Sequence, residues 1–148
     1  YAAGVYNVTL TVTDDAAVPA TNSAVQELTV SDPTTTTMHV HDLVPEATIL
    51  NNNQWLAAVT VHVNDADGVP VDGATVNVEV TRIRKNNGNI ITDEVTCITA
   101  AGQCEVSMTI RTSNIEDNVT FEVLDVAHAT LTYDAGASTV TSVVVDKP

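Results

Sequence analysis

The segment QWLAAVTVHVND, residues 54–65, has an apolar side chain at every second position and decides the fold class. Every second residue is apolar, and these residues share one face of the predicted strand: Trp55, Ala57, Val59, Val61 and Val63. Polar side chains such as Thr60 and His62 fall on the opposite face. A period of two indicates a β-strand with one buried face. The segment therefore predicts a strand that packs on an apolar core, with Trp55 inside it.

The same alternation recurs at short intervals on both sides of this strand, in the segments TMHVHDL (37–43), ATVNVEV (74–80), VTFEVLDV (119–126), ATLTYD (129–134) and STVTSVVVD (138–146). Turn residues separate the segments, and DADGVPVDG contains Asp-Gly twice. No amphipathic helix of useful length appears. Seven or more short strands in residues 38–148 predict an all-β protein with an immunoglobulin-like antiparallel β-sandwich.

Residues 1–32 read as a separate β-hairpin, and the PTTTT stretch at 33–37 reads as a Thr-rich linker. Apolar residues on one face of the hairpin form a predicted interaction surface: Tyr6, Val8, Leu10, Val12, Leu28 and Val30. Two strands alone cannot bury a core. We therefore expect this face to pack against material outside residues 33–148, either the rest of its own domain or another copy of the chain.

The charge balance is strongly acidic, with 19 acidic residues against 5 basic ones and a net charge of −14. This balance argues against nucleic acid as a partner, because phosphates are neutralised by Lys and Arg. No run of eighteen apolar residues occurs, so no membrane insertion is expected. The excess of carboxylates has two interpretations, solubility and calcium binding.

Three aspartates, Asp65, Asp67 and Asp72, crowd one turn region and are calcium candidates. Asp-Gly is also what a tight turn uses without any ion. His39 and His41 would hold a transition metal only with His62 or His128 beside them. A structural role for these histidines is the alternative, and no other cofactor is expected.

The two cysteines, Cys97 and Cys104, lie in TCITAAGQCEV, which reads as strand, turn and strand. They are expected to face each other across this hairpin and to form a disulfide. A loop this short contributes about 2–3 kcal/mol in the chain-entropy model, and the bond implies an oxidising compartment. Two unpaired core thiols are the alternative.

Three of the five basic residues, Arg82, Arg84 and Lys85, stand together in TRIRKNNGN. This positive spot would dock on an acidic patch of a neighbouring copy or module, or it would only keep a hairpin tip in water. For catalysis the sequence offers no nucleophile elbow, phosphate loop or H-E-x-x-H motif. We therefore expect no catalytic residues and no enzyme.

Two family resemblances follow from these motifs. The run Gly4-x-Tyr6-x-Val8-x-Leu10-x-Val12-x-Asp14 resembles the penultimate strand of a PKD domain, an extracellular Ig-like module of bacteria and archaea. Residues 38–148 resemble bacterial Ig-like modules at the C-terminal end of secreted proteins, and residues 55–76 are similar to invasin and adhesin repeats. The resemblance implies a secreted or cell-surface location, and it implies neighbouring Ig-like or PKD domains as partners.

Together these features predict a non-catalytic structural or adhesive module of a larger secreted or surface protein. One alternative is a polysaccharide-binding accessory domain of a secreted hydrolase, which would need exposed aromatic side chains for sugar stacking. Trp55, Phe121 and Tyr133 are instead expected in the core. Another alternative is a self-assembling fibre subunit in which the hairpin complements a second chain.

Overall fold

A computed structural model describes residues 4–13, 15, 21–30, 36–115 and 117–148, with Gly4 and Val30 described by their backbone alone. The chain divides into two compact units, Tyr1–Thr34 and Thr35–Pro148. The predicted hairpin strands lie in the first unit. Asp14 and linker residues 33–35 lie outside the described residues.

The first unit contains strands β1 (Gly4–Thr13) and β2 (Thr21–Val30), which pair antiparallel. Tyr6 pairs with Leu28, and Leu10 pairs with Ala24. Alternation of side chains across the strands brings the predicted apolar residues of β1 and Leu28 of β2 to the same face. The interaction surface predicted from the sequence is therefore a single face of one hairpin.

The described residues of the second unit form eight strands in two four-stranded sheets. Their bounds are β3 (Thr37–Asn51), β4 (Gln54–Asp65), β5 (Thr75–Ile83), β6 (Ile90–Ile98), β7 (Gln103–Arg111), β8 (Asn118–Ala127), β9 (Thr132–Tyr133) and β10 (Ser142–Asp146). A short 3₁₀ helix, Ala135–Ala137, lies between β9 and β10. One sheet has the order β10-β8-β5-β6 and the other β7-β4-β3-β9. This all-β sandwich is compatible with an immunoglobulin-like domain.

The core is built mainly from β-branched residues, as the alternation predicts. All the predicted inward residues of β4 and β5 are buried, among them Val61 and Val80, which have no exposed surface. Trp55 and Phe121 are each only 1% exposed and are the two largest fully buried side chains. The prediction that both aromatics lie in the core is confirmed.

Strand direction gives the second unit two distinct ends. Met38 at the start of β3 pairs with Asp65 at the end of β4, and Tyr133 pairs with Met38, so these residues mark one end. We call it the aspartate end. Gln54 at the start of β4 pairs with Arg111 at the end of β7, which marks the opposite end. We call it the arginine end.

Three sequence expectations need correction. The strands that carry the cysteines, β6 and β7, do not form a hairpin, because they belong to different sheets. The sandwich is not wholly antiparallel, since β3 pairs with β9 in parallel over two residues. Thr37, assigned above to the linker, is the first residue of β3, and the backbone carbonyl of Thr36 already accepts a hydrogen bond from Thr132.

Within the part of the chain that the structure describes, no helix is long and apolar enough to cross a bilayer.

Candidate functional site

The disulfide between Cys97 and Cys104 ties the two sheets of the second unit together. Cys97 lies on β6, the edge of one sheet, and Cys104 lies on β7, the edge of the other. Their Cα atoms are 5.8 Å apart. The predicted pairing is confirmed, but the bond bridges two sheet edges and not two strands of a hairpin.

The loop between these cysteines is anchored by one buried threonine. The Thr99 hydroxyl donates to the carbonyl of Val71 at 2.7 Å and accepts from the backbone N–H of Ala74 at 2.9 Å. Thr99 is only 3% exposed, so its polar group needs these partners. The disulfide loop is therefore held to the β4–β5 connection by hydrogen bonds as well as by the covalent bond.

Two of the three calcium candidates, Asp65 and Asp72, already use a carboxylate oxygen to hold backbone N–H groups of nearby turns. Oδ1 of Asp65 accepts from the backbone N–H groups of Asp67 at 3.0 Å and Val69 at 2.8 Å. Oδ1 of Asp72 accepts from the N–H of Gly102 at 2.9 Å. In the described parts of the chain, no three His, Cys, Asp or Glu side chains are arranged to hold a metal ion. Calcium binding stays a prediction.

The histidines do not gather into one cluster. The ring centroids of His39 and His41 are 6.4 Å apart, edge to face. The strand register shifts between Val40 and Asp42, so His41 has no partner in the β3–β4 ladder. Nδ1 of His128 accepts backbone N–H bonds from the loop that follows it, including one from Leu131 at 3.2 Å.

All five basic residues of the chain collect at the arginine end of the second unit. Arg82 lies next to the last residue of β5, Arg84 directly follows that strand, and Arg111 ends β7. The Nζ atoms of Lys85 and Lys147 lie 2.9 and 3.9 Å from Oδ1 of Asp117. A chain of net charge −14 thus concentrates its positive charge in one place.

The three arginines line one cleft of about 280 Å³. The other lining residues are Ile91, Thr109, Asn114 and Ile115. Arg82 and Arg84 continue the even-numbered series of β5 whose earlier members, up to Val80, fill the core. The cleft is therefore the place where the apolar interior of the sandwich gives way to charged side chains.

Backbone contacts bring the ends of β5 and β7 together around this cleft. Arg84 forms an isolated antiparallel bridge with Ile115, and the N–H of Ile115 donates to the carbonyl of Arg111 at 3.3 Å. The N–H of Lys85 donates to the carbonyl of Asn114 at 3.1 Å. These bonds close the β7–β8 loop over β5 and place Arg84 and Arg111 in the lining of the same cleft.

The cations at this end differ in how far they are neutralised. Arg82 forms an ion pair with Asp93. The hydrogen bond from Lys85 holds the pKa of Asp117 below its ordinary value, desolvation opposes this, and the charges of Lys85 and Lys147 add to the lowering. Among the described residues, neither Arg84 nor Arg111 has an ion-pair partner within 4.0 Å.

Arg82, Arg84 and Lys85 were predicted from the sequence as one positive spot, but Arg111 was not. Lys85 pairs with Asp117 and does not line the cleft, whereas Arg111 does. The only sequence signal for Arg111 was rarity, because it is one of three arginines in 148 residues. Its proximity to β5 depends on the tertiary closure of the β7–β8 loop.

The hairpin face of the first unit is exposed along most of its length. Leu10 is 66% exposed and Leu28 is 53% exposed. A shallow depression of about 350 Å³ on the hairpin is lined mainly by Val8, Leu10, Ala24, Gln26 and Leu28. The structure thus places five of the six predicted residues on an open apolar face, and the side chain of Val30 lies outside the described atoms.

Comparison with family models, with curated proteins and with solved structures found no match to this chain. The all-β sandwich therefore rests on the structure alone, and membership of the PKD or invasin families stays a prediction.

Proposed function

We propose that this chain is a non-catalytic structural or adhesive module of a larger extracellular protein, acting as a stalk, spacer or assembly contact. The path of the backbone through the second unit carries this proposal. The chain begins β3 at the aspartate end and finishes β10 at the arginine end, where the N–H of Lys147 bonds to the carbonyl of Asp117 at 2.8 Å. A unit traversed from end to end extends a protein and separates its neighbours.

Strand lengths support the same role. At about 3.3 Å per residue, the twelve residues of β4 span about 40 Å. Tension applied at the two ends of the unit loads β3 against β4 in shear, and the two strands are paired along nearly their whole lengths. In shear the ladder hydrogen bonds share the load, which suits a spacer that must resist extension.

An oxidising compartment outside the cytoplasm is part of the proposal. Both cysteines of the chain are in one disulfide, and such bonds persist in secreted and surface proteins. Neighbouring Ig-like or PKD domains of the same protein, or other copies of the chain, are the proposed partners.

A second candidate role is self-assembly through the hairpin, and the open apolar face of β1 and β2 favours it. Sugar binding is less well supported. Trp55 and Phe121 are buried, and Tyr133 is half-buried with its hydroxyl 3.3 Å from that of Ser138. None of these three rings offers an open stacking platform.

Single-molecule force spectroscopy tests the spacer role. Handles attached at Thr36 and Pro148 pull the second unit along its strands, and we expect one cooperative unfolding event at high force. Handles at Thr36 and Ala66 are the matched control, because both residues lie at the aspartate end and pulling there peels β3 from β4 one bond at a time. Equal unfolding forces in the two geometries would contradict a load-bearing spacer, and retention on insoluble polysaccharide would favour the sugar-binding alternative.

A further inference from the structure

Every arginine of the chain lines the cleft at the arginine end, although the chain has 19 acidic residues and only 5 basic ones. This placement concentrates guanidinium groups in a protein whose surface is otherwise negative. Ion pairs among the described residues do not account for it, because they engage Arg82, Lys85 and Lys147 but neither Arg84 nor Arg111.

We propose that this arginine cleft binds the carboxylate of an Asp or Glu side chain on an extended acidic segment of a partner protein. Arg84 and Arg111, which have no ion-pair partner among the described residues, supply two guanidinium groups, and Arg82 lines the same cleft and is paired with Asp93. A guanidinium group and a carboxylate form two parallel charge-assisted hydrogen bonds, which gives direction as well as attraction. The inference goes beyond the spacer role and does not depend on it.

An unsatisfied hydrogen-bond donor on Arg82 also favours binding of an acceptor at this cleft. The Nε–H of Arg82 is buried and has no hydrogen-bond partner among the described residues, although the side chain as a whole is 19% exposed. A buried donor without a partner carries a free-energy cost that an incoming oxygen removes. Arg82 lines the cleft together with Arg84 and Arg111, so a carboxylate bound there would lie beside the residue that carries this donor.

The size and walls of the cleft favour a peptide side chain over a sugar. A space of about 280 Å³ holds one or two side chains, and its walls include Ile91 and Ile115 but no aromatic ring. The strands that contribute Ile91 and Thr109, β6 and β7, are both edge strands of their sheets. An edge strand has backbone N–H and C=O groups that can form hydrogen bonds with an extended peptide. Such strand pairing would hold the peptide while an arginine binds its carboxylate.

The net charge of −14 further limits the kinds of partner that can bind at the cleft. A long polyanion would be repelled by the rest of the surface. A single acidic segment meets only the local field, because charges farther apart than about 8 Å are screened at physiological salt. Local complementarity therefore favours a short acidic strand of a protein.

The probe is an acetylated and amidated peptide of alternating valine and glutamate, and its matched control carries glutamine in place of glutamate. With three arginines in the chain, the Arg Nε–Hε region of an NMR spectrum contains only three side-chain signals. We expect the glutamate peptide to shift the signals of Arg84 and Arg111 in a salt-dependent manner, and the glutamine peptide to leave them unchanged. Equal shifts with both peptides, or no shift, would overturn the proposal.

Matched variants distinguish specific binding in the cleft from general electrostatic attraction to this end of the unit. Arg84→Gln and Arg111→Gln should each weaken binding of the glutamate peptide about tenfold, as for the loss of one charged hydrogen-bonding partner. Lys147→Gln removes the same charge at the same end but does not line the cleft, so binding should be unchanged. An equal loss in Lys147→Gln would show non-specific attraction and would sink the proposal.

Light scattering of the full chain then identifies the source of the carboxylate. Association that is lost in both Arg84→Gln and Arg111→Gln assigns the segment to a second copy. A full chain that stays monomeric, or whose association survives both substitutions, assigns the segment to a different protein, provided that the peptide still shifts the arginine signals.

Discussion

Cys97 and Cys104 are covalently joined although their strands, β6 and β7, belong to opposite sheets. The bond closes the open side of the sandwich next to the hydrogen-bonded loop around Thr99. In the chain-entropy model a bridge with a sequence separation of 7 restricts the unfolded state and stabilises the fold.

The double variant Cys97→Ala/Cys104→Ala should therefore lose about 2–3 kcal/mol of unfolding free energy, measured with urea. A reductant should destabilise the parent protein by a similar amount and leave the double variant unaffected. Thiol titration of the denatured parent without reductant should find no free thiol, and two titratable thiols would contradict the bond.

Gly102 should not tolerate a side chain. Its φ is +74°, and a Cβ atom built on it would lie 2.9 Å from the Cα of Pro70 and closer still to the Pro70 side chain. Gly102→Ala should cost at least about 2 kcal/mol, from the left-handed backbone and the clash together. Gly68 is the matched control, because its φ is +81° and nothing lies within 4 Å.

Gly68→Ala should cost only about 1 kcal/mol, since the backbone term acts alone there. Urea unfolding of the two variants measures the difference, which reports the contact with Pro70. Equal losses of unfolding free energy in Gly102→Ala and Gly68→Ala would show that the contact with Pro70 does not destabilise the variant.

Trp55 is buried, and in the described part of the chain its indole N–H has no hydrogen-bond partner. Trp55→Ala should cost about 3–5 kcal/mol because it leaves a cavity in the core. Trp55→Phe keeps much of the apolar contact and removes the unsatisfied donor, so its cost should stay below about 1.5 kcal/mol. As the only tryptophan of the chain, Trp55 also reports its burial by fluorescence. Native emission at the water-exposed wavelength would contradict burial.

Asp117 should titrate below the ordinary aspartate pKa of about 3.9, because Lys85 donates a hydrogen bond to its carboxylate. A lowered folded-state pKa adds stability above the unfolded-state pKa, and this contribution disappears as the pH falls through the folded-state pKa. NMR titration of the Asp117 carboxyl carbon measures the shift. Lys85→Gln should raise this pKa toward its ordinary value.

Lys147→Gln should raise the pKa of Asp117 less, because Nζ of Lys147 lies 3.9 Å from the carboxylate while that of Lys85 lies at 2.9 Å. A larger rise of the Asp117 pKa in Lys147→Gln than in Lys85→Gln would contradict the assignment of this lowered pKa mainly to Lys85.

The hairpin face should drive association of the full chain. Burial of exposed side chains such as Val8 and Leu10 favours contact by about 1.5–3 kcal/mol each. We expect the molar mass from light scattering to exceed that of a monomer, and Val8→Ser/Leu10→Ser to lower it. Thr9→Ser, on the opposite face of β1, is the control. A monomeric parent chain would refute this role of the hairpin.

Much of the core was predictable because alternation is a local property of an extended backbone. Trp55 and Val61 on β4, and Val80 on β5, were assigned to the interior from their spacing, and all three are buried. Phe121 was assigned in the same way and is buried, whereas Tyr133, also expected in the core, is only half-buried, with its hydroxyl 3.3 Å from that of Ser138. The cysteine pairing was also predictable from two residues in a short loop.

The sequence by itself therefore determined the all-β class, the buried faces of the strands and the pairing of Cys97 with Cys104. Only the tertiary structure decided that this disulfide joins two sheets, and that Arg111 shares a cleft with Arg82 and Arg84. The physical reason is the distance along the chain over which each feature is determined. A side chain's face follows from its neighbours one and two residues away, whereas the meeting of two sheet edges depends on how the whole sandwich closes over its core.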